Sequence, residues 1–80
     1  MRIQEMKRRV RQEAKRYAVK EYEIYEVKRT WKNEHVRVFN IETRSKEKLQ
    51  YITSTVPCDD TVYVNYLNNK FLKQWSIYEQ

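Results

Sequence analysis

Eighty residues contain no glycine, and that absence limits the fold more than any motif in the chain. Turns that need a positive φ must use residues that pay a steric cost there, with Asn and Asp paying least. Asn33, Asn68 and Asn69 are the candidates. The single proline, Pro57, marks one more break. Flexible linkers and low-complexity tracts are excluded by the same composition, so residues 1–80 read as a single domain. A chain of this length buries only about 60–65% of the surface its unfolded form exposes. Seven tyrosines and two tryptophans must supply much of its apolar area. Such rings bury a large body while keeping a polar atom near water.

The charge is as unevenly placed as the turns are constrained. Arg2, Lys7, Arg8, Arg9, Arg11, Lys15, Arg16 and Lys20 face only Glu5 and Glu13 in the first twenty residues, and carry the whole net charge of +6. The remaining residues balance to zero. A concentrated basic segment is the electrostatic footprint of a nucleic-acid binder. It equally suits an acidic protein surface.

Residues 2–17 read as an amphipathic helix, with Ile3, Met6, Val10, Ala14 and Tyr17 forming one stripe at three- and four-residue spacing. On a helical wheel Arg2, Arg9 and Arg16 fall on one flank, and Arg8, Arg11 and Lys15 on the other, with Lys7 nearer the stripe. Glu5–Arg9 and Glu13–Arg16 are spaced to pair along the helix. Ile3, Val10, Tyr17, Ile24 and Trp31 also recur every seven residues. Their companion stripe, Met6, Glu13, Lys20 and Val27, is charged at two of four positions, which weighs against one long helix.

Residues 18–31 read as a strand. Tyr22 and Ile24 share one face and Tyr25, Val27 and Trp31 the other, a phase change that implies a bulge near Ile24–Tyr25. After the polar turn Lys32-Asn33-Glu34, residues 35–44 form a second strand, with Phe39, Ile41 and Thr43 facing away from Val36 and Val38. Residues 48–56 form a third, with Leu49, Tyr51, Thr53 and Thr55 facing away from Ile52, Ser54 and Val56. Short loops between them imply an antiparallel meander. Pro57 ends it, and Asp59 or Asp60 can cap a helix beyond it. Val64, Leu67, Phe71, Trp75 and Tyr78 then fit a second amphipathic helix over 60–78.

The expected architecture is α+β, in the order α-β-β-β-α, with both helices on one face of the sheet. The alternative makes Thr61-Val62-Tyr63-Val64 a strand and Asn68-Asn69 a hairpin turn. That gives one helix and a five-stranded antiparallel sheet or small barrel. The order α-β-β-β-α is also that of double-stranded RNA-binding domains. The chain lacks a Gly-Pro loop between strands and a lysine-rich start to the last helix, where Asp59-Asp60 stands instead, so the family is not assigned.

Nucleic-acid binding is the leading functional expectation. Long basic side chains at intervals along a rigid element suit phosphate docking. Arg2, Lys7, Arg8, Arg9, Arg11, Lys15 and Arg16 are the candidates, for DNA or RNA. Tyr22, Tyr25 and Trp31 are candidate aromatic contacts to bases, and Phe39 and Tyr51 are further rings on the strands. The alternative is a small inhibitor or adaptor, such as phages and mobile elements use, that binds an acidic surface of a larger host protein or nucleoprotein machine. Tyr, Trp and Arg dominate such interfaces. An uncovered sheet face or free edge strand leaves a homodimer open.

Enzymatic chemistry has little to build on. His35 with Arg37 or Arg44 could cleave RNA by general-base catalysis, but a lone histidine at a strand start is the residue of a turn. Cys58 beside Asp59 would need His35 as its base. Asp59-Asp60 reads as a cap, and Glu42 and Glu47 lack the converging oxygens of a divalent-metal site. One cysteine and one histidine cannot supply the four ligands of a zinc finger, and without glycine there is no phosphate loop. No cofactor is expected. A single unpaired thiol suits the cytoplasm. No apolar run approaches a membrane span, and the first helix lacks the Trp or Phe of a membrane-surface helix.

Overall fold

A computed structural model describes residues 2–18 and 23–78. Helix α1 (Ile3–Tyr17) precedes five strands: β1 (Ile24–Lys32), β2 (Val36–Thr43), β3 (Lys48–Val56), β4 (Asp59–Leu67) and β5 (Lys70–Ser76). The strands pair in sequence order as one open antiparallel sheet. The first helix and the three-strand meander follow the sequence, whereas the second helix does not exist. Residues 60–78 form the β4–β5 hairpin instead, so among the described residues a single helix covers one sheet face.

The turn chemistry explains that correction. Val56 pairs with Asp59, leaving Pro57-Cys58 as a two-residue loop. Proline suits its first position, and Cys58 takes the positive φ, 69°, at the second, the pattern of a type II turn. Asp59 therefore caps no helix. Its carboxylate accepts the Thr61 hydroxyl at 2.6 Å and the Thr61 amide at 2.9 Å, and these bonds, the hydroxyl's first, hold its pKa below the usual carboxylate value. Leu67 then pairs with Lys70 across Asn68-Asn69. Both asparagines have positive φ, 50° and 66°, as a type I′ hairpin turn requires. The Asn68 carboxamide also accepts the Gln50 amide at 2.7 Å, and the Asn68 amide donates to the Gln50 carbonyl at 2.8 Å, tying the hairpin to β3.

Asn33 does not use a left-handed conformation. Its side-chain oxygen instead accepts the His35 and Val36 amides at 2.9 and 2.7 Å, closing the β1–β2 turn. Lys46 takes the left-handed position in the β2–β3 turn, at φ 68°.

The register assigns the faces. Phe39, Ile41 and Thr43 of β2 meet Tyr51 and Leu49 of β3 on the side that α1 covers. Leu67 and Asn65 of β4 lie in line with Tyr51 and Thr53. The β1 faces expected from the sequence are corrected. The bulge between Ile24 and Glu26 is present, and a second lies between Arg29 and Trp31. Together they put Ile24 and Val27 in one core and leave Trp31 opposite, beside Val38. Tyr22 lies outside the described residues.

Val10 and Ala14 of α1 sit among Ile24, Val27, Phe39, Ile41, Tyr51 and Leu67, with Ile3 and Met6 packed at the margin. Ala14 is fully buried, and so small a side chain lets the helix backbone approach the sheet closely. Tyr17, the last residue of the expected stripe, is exposed. Among the described residues no helix is long and apolar enough to cross a membrane.

Candidate functional site

Burying the Ile3–Ala14 seam turns the basic residues of α1 outward. Arg2, Arg8 and Arg16 are exposed, while Lys7, Arg9, Arg11 and Lys15 lie half-buried along the helix. Arg11 reaches the Ile24 carbonyl at 3.4 Å, so part of its role is to hold β1 to the helix. Glu5 lies 3.9 Å from Arg8 across an exposed pair, too solvated to tie either side chain down.

The other acidic residue of the helix is placed quite differently. Glu13 turns onto the sheet instead of pairing with Arg16. Its carboxylate accepts the Tyr51 hydroxyl, takes both contacts of the Asn65 amide nitrogen at 3.3 Å and meets the Lys73 ammonium at 2.7 Å. The Asn65 oxygen in turn accepts the Thr53 hydroxyl at 2.8 Å and the Trp75 indole N–H at 3.2 Å. An indole N–H only donates and a carboxylate only accepts, so the orientation of this amide is determined. Burial, and then the Glu13 carboxylate holding its proton, push the Tyr51 phenol far above its usual pKa. Every polar group of the cluster has a partner, so Glu13 fastens α1 to β3, β4 and β5.

A groove of about 790 Å³ opens beside this cluster, between α1 and the part of the sheet it leaves uncovered. Arg9 and Arg16 line its helix side, Arg37 its β2 side, and Lys73 stands on β5. Tyr63 and Trp75, stacked at 4.8 Å with an interplanar angle of 20°, form an aromatic floor. On the other flank, Gln4, Lys7, Arg8 and Arg11 surround Tyr25 in a smaller cleft of about 350 Å³. Basic and aromatic groups thus meet on both sides of the helix.

The structure brings Tyr25, 63% exposed, to the basic helix. Trp31 stands on the opposite sheet face, away from the helix, and Phe39 and Tyr51 are core residues. Arg37, Tyr63, Lys73 and Trp75 were not expected as parts of this surface. The legible signal was Asn65, a polar residue in phase with Tyr63 and Leu67, which marks a buried polar partner on that face.

The remaining candidates do not assemble into one site. His35, in the β1–β2 turn, contacts the Thr55 hydroxyl at 3.1 Å and lies 3.7 Å from Asp60 at the start of β4. Arg44 and Glu47 occupy the β2–β3 turn and Glu42 the adjoining end of β2, one strand length of roughly 25 Å away. Arg37 faces the groove, and Cys58 is exposed in its turn. No protein-family model, curated protein or solved structure matches this chain.

Proposed function

We propose that this protein binds nucleic acid, docking phosphates on the outward face of α1. The observation that carries the reading is the division of labour around that helix. Its apolar seam is consumed by the sheet, and the half-buried carboxylate of Glu13 is neutralised within the fold by Lys73. The outer arc, with Arg2, Arg8 and Arg16 exposed along it, therefore presents positive charge to a partner. Basic spacing along a rigid helix suits a run of phosphates. Arg37 extends the same positive surface onto the sheet, and the Tyr63–Trp75 floor offers a π-face to an unpaired base.

The test is fluorescence anisotropy with single- and double-stranded DNA and RNA at about 50 and about 200 mM salt. A variant carrying Arg8→Glu and Arg16→Glu serves as the control. These two side chains are exposed, so the variant is expected to keep its circular dichroism spectrum and lose binding. Neutralising about five phosphates of a duplex gives a log–log salt slope between about −4 and −5. Unchanged affinity in the folded variant, or weak binding lost equally for every probe at the higher salt, would sink the reading.

A further inference from the structure

The sheet face opposite α1 is the more apolar of the two along its middle. In the register of all five strands, Trp31, Val38, Ile52, Tyr66 and Phe71 form one continuous row on that face. Val36, Ser54, Val64 and Gln74 form the next, and Val62 and Ser76 a third. None of these residues is charged. The same level of the helix-covered face carries Arg37, Thr53, Asn65 and Lys73. An antiparallel sheet that shows one face to water normally alternates apolar inward with polar outward, and here the outward positions break that rule. Trp31 and Phe71 are 53% and 56% exposed, and Phe71 packs edge-on against Tyr66. The charged residues of this face stand at its two ends, Glu26, Lys28, Glu42 and Lys48 toward the β2–β3 turn and Asp59, paired with Val56, at the other.

We infer that this face is the interface of a homodimer, in which two sheets pack back to back around a twofold axis. Two features select a second copy as the occupant. An uncharged apolar patch is complementary to itself, as an isologous interface requires. The excess charge lies on the helix side of the sheet, so back-to-back packing keeps the two basic surfaces apart. The uncharged rows occupy eleven positions, each about 4.8 Å by about 6.7 Å, or roughly 350 Å² of sheet before the relief of the protruding Trp31 and Phe71 rings, so the contact is at the small end of the interface range. Edge-to-edge pairing is disfavoured. The outer strands carry bulges at Tyr25 and Thr30 of β1 and at Leu72 of β5, and lysines at both edges, devices that blunt sheet edges.

Sedimentation equilibrium of the full chain decides it. The expected mass is twice 10.0 kDa at concentrations of about 100 µM. Trp31→Lys with Phe71→Lys, both exposed and on the outer strands, should raise the dimer dissociation constant at least about tenfold with an unchanged circular dichroism spectrum. Trp31→Gln with Phe71→Gln is the milder pair should the lysines impair folding. A wild-type chain that stays monomeric at about 100 µM overturns the inference and leaves the face to a different protein. So does a dimer that neither folded variant weakens. The Arg8→Glu and Arg16→Glu variant should remain dimeric, so failure of nucleic-acid binding and failure of dimerisation read out separately.

Discussion

At the scale of single residues, Glu13 decides how the helix sits. By sequence it is one of two acids diluting a basic helix; in the fold it is the acceptor for a phenol, an amide and an ammonium group drawn from three strands. Tyr51→Phe removes one of those donors, a hydrogen bond to a charged group worth about 1.5–3 kcal/mol. Urea unfolding near neutral pH is expected to show that loss. The pH dependence has a definite sign. The folded state keeps the Tyr51 phenol protonated well above its ordinary value, while the unfolded chain ionises near pH 10. The wild-type contribution is therefore complete below about pH 10 and falls as pH rises beyond it. The Phe variant should show the shallower alkaline decline. Glu13 could not be singled out in advance, because its partners lie at positions 51, 65 and 73 and meet only when the sheet forms.

The elements were readable to different degrees for local reasons. Three-residue spacing of apolar groups gave away α1, because a helix packed on one side keeps polar residues on the rest of its surface. β2 and β3 alternated cleanly, so their faces could be assigned. In β4, Val62, Val64 and Tyr66 face one way and Tyr63 and Leu67 the other, so both phases are apolar and the period of two disappears. A helical stripe of Val64, Leu67, Phe71, Trp75 and Tyr78 then fits by coincidence. The Asn68-Asn69 turn was the better guide, since it specifies the hairpin through its backbone conformation. Asn68→Ala should cost about 1–2 kcal/mol by placing alanine in a left-handed conformation and removing the acceptor for the Gln50 amide. Hydrogen exchange at Gln50 should quicken by about tenfold or more, because each 1.4 kcal/mol is a factor of ten in opening. Equal exchange rates would show that the turn holds without its side chain.

For the molecule as a whole, the sheet sorts its chemistry by face: polar network and basic helix on one side, and on the other apolar rows whose charged residues stand only toward the ends. If the second face is buried between copies, unfolding is coupled to dissociation, and the melting temperature should climb with protein concentration. Calorimetry between about 10 and about 200 µM checks this, and the Trp31/Phe71 lysine variant should lose the dependence. The amino-acid order alone determined what is local: the seam of α1, the clustering of positive charge, the β2–β3 alternation and the turn preference of Asn68-Asn69, though not the positive φ of Lys46 and Cys58. Each depends on residues within a few positions of one another. Tertiary structure decided what depends on distant residues meeting. It chose the β4–β5 hairpin over a helix, turned Glu13 inward, joined Arg37 to the helix groove and aligned Trp31 with Phe71 across five strands. Strand pairing repeated across the sheet sets residues forty positions apart in one row at opposite edges (Trp31 and Phe71), and no periodicity along the chain records which rows will form.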